Sequence, residues 1–173
     1  MSTPDRRETL PRRAAAVLAG PAGGWLALAL AVVVLDQATK LWAVGGLTLH
    51  RPVALLPFLN LTLVHNTGAA FSLLADAGGW QRWFFTVLTL AICAGLSVWL
   101  VRIAGHERPT AACLALIIGG AIGNLIDRLR LGYVIDFVDL HAAGWHWPAF
   151  NVADAAISCA AVGLVLLALT GRG

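Results

Sequence analysis

Three observations predict an all-α membrane protein with four transmembrane helices. Of the 173 residues, 59% are hydrophobic and only 12% charged, against about 25% charged in a soluble domain. The apolar residues fall into four segments, about Trp25 to Val44, Trp83 to Ile103, Ala111 to Leu129 and Val152 to Leu169. Each approaches the ~20 residues that cross a hydrocarbon core of ~30 Å. Finally, the arginines are one-sided: Arg6, Arg7, Arg12 and Arg13 precede the first segment, Arg102 and Arg108 flank the connection between the second and third, and Arg172 follows the fourth. Excess positive charge marks cytoplasmic segments, so both termini are expected inside and the connections 45–82 and 130–151 outside. The net charge of +3 and pI of about 9.1 are explained by this orientation, and nucleic acid is not expected as a partner.

Residues 1–24 are expected to be a disordered cytoplasmic tail, and residues 25–170 a single four-helix membrane domain. The apolar run Ala14 to Ala19 is too short for a cleaved signal peptide and meets Gly20-Pro21. In the first membrane helix Asp36 and Lys40 are four residues apart and share one face. Each is expensive alone in an apolar medium, so they are read as a structural ion pair rather than a proton relay.

The first outer connection alternates at Leu59-Asn60-Leu61-Thr62-Leu63-Val64 like a short strand with one apolar face. His65-Asn66-Thr67-Gly68-Ala69-Ala70-Phe71 follows, a turn running into small residues that permit close backbone approach. Trp80 and Trp83 are placed as interfacial anchors for the second helix. That helix has no charged residue between Arg82 and Arg102 and reads as scaffold.

The third helix carries Gly119, Gly120 and Gly123, a face on which a neighbour can pack closely. Asn124, Asp127 and Arg128 then lie at i, i+3 and i+4, on one side near the outer end. Beyond Gly132 the β-branched and aromatic run Tyr133 to Val138 reads as extended, with Asp136 between Ile135 and Phe137. Asp139, His141 and His146 fall in what reads as a tryptophan-rich loop without a metal-binding motif, and no metal or cofactor is expected. The fourth helix is expected to open at Pro148, with Asn151 and Asp154 at i, i+3. Cys93, Cys113 and Cys159 lie inside apolar runs without ligand spacing and are read as small packing residues.

Asp136 and Asp154 therefore sit at the same rim. Two close carboxylates tend to share one proton, because both cannot ionise cheaply. The ionised member then activates water while the protonated one polarises a carbonyl. A small proton-coupled transporter is the alternative, but its carboxylates would cross the bilayer midplane rather than cluster at one end.

The blocks Asp36-Gln37-x-x-Lys40, Asn66-Thr67-Gly68-Ala69-Ala70-Phe71, Gly119-Gly120-x-x-Gly123-Asn124-x-x-Asp127-Arg128, Val134-Ile135-Asp136-Phe137 and Phe150-Asn151-x-Ala153-Asp154 together resemble the bacterial lipoprotein signal peptidase family, signal peptidase II. The resemblance spans roughly residues 25 to 170. It implies an aspartyl endopeptidase of the bacterial cytoplasmic membrane that removes signal peptides from diacylglyceryl-modified prolipoproteins, cutting before the lipidated cysteine. It implies Asp136 and Asp154 as the catalytic pair, and Asn66, Asn124, Arg128 and Asn151 as substrate-contacting residues. Asp36, Lys40, Gly68 and Asp127 are expected as structural support. A small extracytoplasmic β-cradle, a helix over the site, contact with membrane lipid and inhibition by globomycin-type compounds also follow from the resemblance. A monomer is expected.

Overall fold

The computed structural model of the chain describes residues 10–68 and 80–171. Its elements in order are α1 (Leu10–Ala19), α2 (Pro21–Gly46), β1 (Val53–Leu56), β2 (Leu59–Asn66), α3 (Gln81–Ile103), α4 (Arg108–Leu131), β3 (Val134–Ala142), β4 (Trp145–His146) and α5 (Val152–Thr170). Four of these helices, α2 to α5, are long and apolar enough to cross a membrane.

The expected helices are present with different ends, for local reasons. Pro21 and Pro109 begin α2 and α4 instead of blocking them, since a helix's first turn needs no donor from proline. α4 runs on to Leu131, where Gly132 takes the left-handed conformation (φ 86°) that closes a helix. Pro148 does not open α5; Asn151 caps it instead, in reciprocal bonds with Asp154. Residues 10–19, expected within an unstructured tail, are helical. Alanine, leucine and arginine are strong helix formers, and α1 gains contacts with α2 that its own sequence does not reveal.

α4 is the centre of the bundle, packed against α2, α3 and α5. Ala29, Leu100, Ile103, Ala111, Leu114, Ala115 and Ile118 form its apolar core away from the sheet. Close approach depends on glycine. A Cβ at Gly120 would lie 2.5 Å from the Ala153 carbonyl oxygen, and one at Gly123 would lie 2.5 Å from Asp36 Oδ2. Large apolar side chains on the outside of the bundle, such as Val87, Leu90, Val165 and Leu169, are exposed, as lipid-facing residues are.

The sheet is antiparallel in the order β1-β2-β3-β4. It caps the end of the bundle where α2 and α4 finish and α3 and α5 begin. A second apolar cluster, Ala43, Leu63, Ile135 and Phe137, joins it to α2, and Trp42 meets Phe137 edge-on at 6.4 Å. Asp136 lies within β3, in the run that the sequence marks as extended, and the strand continues through Asp139, which the sequence had placed in a loop; β2 supplies polar partners that make aspartate acceptable inside a strand. A bulge between Leu61 and Val64 shifts the pairing, so that Asn60 faces Asp139 and Val64 faces Asp136.

Candidate active site

Lys40 occupies the middle of a buried polar cluster and is only 1% exposed. An ammonium has three N–H donors. Here they meet Asp36 Oδ2, Asp127 Oδ2 and Asn124 Oδ1, each at 2.8 Å. Asp36 Oδ1 accepts from the Ala153 N–H at 3.0 Å, which fixes the start of α5. Asp127 accepts from the Ile135 N–H at 3.1 Å, which fixes the start of β3, and from Gln37 Nε2 at 2.9 Å. A membrane-embedded salt bridge thus sets the positions of the two elements that carry Asp136 and Asp154.

Asparagines connect this cluster to those aspartates. Because Asn124 Oδ1 accepts from Lys40, its amide must face the other way, and Nδ2 donates to Asp154 Oδ1 at 2.8 Å. The Asn151 N–H reaches Asp154 Oδ2 at 3.3 Å, and Asn151 Oδ1 accepts from the Asp154 N–H at 2.9 Å. The Asn151 amide donates to Asp136 Oδ1 at 2.7 Å, with Asn124 Oδ1 at 3.1 Å and the Ile135 carbonyl at 3.2 Å as further acceptors. Asn66 Nδ2 holds the other oxygen, Asp136 Oδ2, at 3.0 Å. Asn66 Oδ1 accepts the Gly68 N–H at 3.0 Å, forming a side-chain turn that fixes its orientation.

Both aspartates line one cavity of about 700 Å³, together with Asn66, Asn124 and Arg128. Burial pushes the Asp136 carboxyl from 3.8 up to about 7; the negative charge of Asp154 adds to this, and bonds from Asn66 and Asn151 oppose it. His65, beside Asn66 on the cavity wall, is pushed below its ordinary range by burial and by the charge of His50. It stacks on Tyr133 at 4.0 Å and serves as a neutral aromatic wall.

The shared-side expectation for Asn124, Asp127 and Arg128 holds for the first two, which both meet Lys40. Arg128 turns elsewhere: Nη2 donates to the Gly68 carbonyl at 3.2 Å, and the guanidinium lies 5.2 Å from the Phe85 ring centroid. Ala69, Ala70 and Phe71, and the region of an overlying helix, lie outside the described residues. Cys93 is buried, but Cys159 is exposed and lines the cavity, so it is not a packing residue.

Two features escaped the sequence reading. Gln37 bridges Asp36, Asp127 and the Gly123 carbonyl; the sequence marked it only as part of the Asp36-Gln37-x-x-Lys40 block and assigned it no role. Asp139 accepts from Asn60 and Thr62 on β2 and bonds to His146 on β4, partners on two strands far apart in the chain. Burial acts to raise the Asp139 carboxyl, but the bonds from His146, Asn60 and Thr62 outweigh it and hold the group below its ordinary value. Among the described residues, no group of three His, Cys, Asp or Glu side chains is placed to hold a metal.

Four spans, a polar cluster at one end and a small sheet roofing it define a multi-pass membrane enzyme. Two solved bacterial membrane enzyme structures have this architecture. One matches with TM-score 0.77 and 30% identity, covering 86% of this chain and 88% of its own. The other has TM-score 0.74 and 30% identity, covering 85% and 93%. The sequence is more specific. The chain belongs to the signal peptidase II family, whose model matches residues 28–170. A lipoprotein signal peptidase of Hydrogenovibrio crunogenus is 51% identical over 139 residues, covering 80% of this chain and 81% of the relative. One of Burkholderia mallei is 51% identical over 150 residues, covering 84% and 87%.

Proposed function

We propose that this enzyme removes signal peptides from diacylglyceryl-modified prolipoproteins, cutting before the lipidated cysteine, by a two-aspartate mechanism. The observation that carries the mechanism is that Asp136 and Asp154 line the same cavity, each with both oxygens held by hydrogen-bond donors. Asp136, pushed up to about 7, is the member that carries a proton near neutrality and polarises the scissile carbonyl. Asp154 takes a proton from water as that water attacks. The tetrahedral intermediate then collapses, and the leaving amine receives a proton from the pair. Asn124 and Asn151 hold the carboxylates in place, and Arg128 orders the chain after Asn66 so that the substrate backbone has a fixed edge to lie against. The enzyme acts as a monomer, contacts the lipid of its substrate from the bilayer side, and is blocked by globomycin-type inhibitors at the same cavity.

The sign of the pH dependence follows from Asp136. An acid that must be protonated loses function as pH rises through its pKa, so kcat/KM should fall above about pH 7. The measurement is cleavage of a lipidated precursor by the purified protein in detergent, with a chelator and no second protein present. Activity that requires an added metal, or that rises steadily from pH 6 to 9, would remove the mechanism.

The sheet end of the bundle lies on the extracytoplasmic side of the bacterial cytoplasmic membrane, with both termini inside. This rests on the arginines of the tail and of the 104–110 connection. Alkaline phosphatase fused after His65 or His141 should be active, and after His106 inactive. The reverse pattern would move the site to the cytoplasmic face.

A further inference from the structure

The segment Trp147-Pro148-Ala149 separates two spaces. On one side is the cavity that holds Asp136 and Asp154; on the other is a second cavity of about 440 Å³ lined by Thr62, Asp139 and His146, and all three residues of the segment border both. The segment has no regular secondary structure. Backbone bonds hold its two ends: the Trp147 N–H donates to the Leu140 carbonyl at 2.8 Å, and the Phe150 N–H donates to the Val138 carbonyl at 3.1 Å.

The hairpin leading into this partition is weak by itself. β4 has two residues. Its turn places Ala143 at φ 49° and Gly144 at φ 83°. A two-residue turn of this kind needs positive φ at both positions, and alanine adopts it only at a steric cost. Besides the short backbone ladder, a side-chain bond between Asp139 Oδ1 and Nδ1 of the half-exposed His146 at 2.7 Å ties the hairpin to the strand. Asp139 is buried and anchored on its other oxygen by Asn60 at 3.3 Å and Thr62 at 3.0 Å. The His141 ring stacks on His146 at 5.1 Å and limits its rotation.

We propose that Asp139 and His146 are positioning residues: their bond sets the Trp147-Pro148-Ala149 wall and thereby the fit of the substrate, without entering the hydrolytic step. This rests on the signal-peptide cleavage reading above. A wall fixed before binding reduces the ordering that binding must otherwise supply, so its loss falls on KM more than on kcat.

The test compares His146→Leu with His146→Asn in the full-length enzyme. The asparagine amide nitrogen branches from the side chain where Nδ1 does and can donate to Asp139; leucine cannot. For a lipidated precursor, His146→Leu should raise KM about tenfold with kcat within about twofold of wild type, and His146→Asn should restore most of the loss. Hydrogen exchange gives a second readout that needs no activity. The Trp147 and Phe150 amides should exchange faster in His146→Leu, while the β2–β3 ladder keeps its protection. Unchanged KM, equal impairment of the two variants, or unchanged exchange at both amides overturns the proposal. Failure of the wild-type enzyme to cleave any lipidated precursor would instead overturn the cleavage reading, and the exchange comparison would still decide whether the clamp exists.

Discussion

Asp136→Asn and Asp154→Asn should each reduce cleavage of a lipidated precursor by about 10³-fold or more, and the double variant should be little worse than either single one. In the proposed mechanism the pair acts as a unit: one carboxylate accepts a proton from water while the other donates one to the substrate. Asparagine keeps the shape but exchanges no proton. It also disturbs its neighbours. Asp136 now accepts from Asn66 and Asn151 on separate oxygens, so an amide in its place sets one NH₂ group against a donor. Asn66 cannot simply turn over to accommodate it, because its own oxygen accepts the Gly68 N–H. Some loss of stability is therefore expected in Asp136→Asn, and turnover must be compared at matched folded protein. Asp139→Asn is the control, expected to retain its catalytic step because Asp139 is outside the polar cluster that holds the pair. Substantial turnover in either single variant, at normal expression, would remove the two-aspartate mechanism.

Lys40→Ala should cost about 3–5 kcal/mol of stability, the range for removing one partner from a buried ion pair. Two carboxylates depend on this single cation: Asp36 and Asp127 each lie 2.8 Å from Nζ, and neither is more than 2% exposed. The effect spreads because the same nitrogen orients Asn124, whose amide holds Asp154. Thermal unfolding in detergent should show the loss. Adding Asp36→Asn and Asp127→Asn to Lys40→Met should recover much of it, since no uncompensated charge then stays buried. A Lys40→Ala protein as stable as wild type but without turnover would assign Lys40 to the chemistry instead of to the scaffold.

Much of the site was legible in the sequence because burying charge in an apolar segment is costly. Asp36 and Lys40 stood out at helical spacing, and so did Asn124 and Asp127; all four meet in one cluster. Asn151 and Asp154, three residues apart, form the capping pair that opens α5. Asp136 stood out through its apolar neighbours. Asp139 drew less notice: in sequence it resembles any polar residue near a turn, and Asn60 and Thr62 are nearly eighty positions away. Residues 10–19 were misread because a short helix gains its stability from packing more than from composition.

The sequence by itself determined the four spans, their connections and the residues able to do acid–base chemistry. These are local properties: apolar length is set by bilayer thickness, and ionisable groups within apolar runs are conspicuous wherever they occur. Only the tertiary structure decided that Arg128 turns to Gly68 and Phe85 instead of joining Lys40, that Cys159 lines the cavity, and that Asp139 and His146 tie the hairpin beside it. The physical reason is that a helical or extended period fixes the face on which a side chain emerges, but not what stands opposite. Here the opposing surface is set by glycine contacts between α4 and its neighbours and by a bulge that shifts the β2–β3 register, and both depend on segments far apart in the chain.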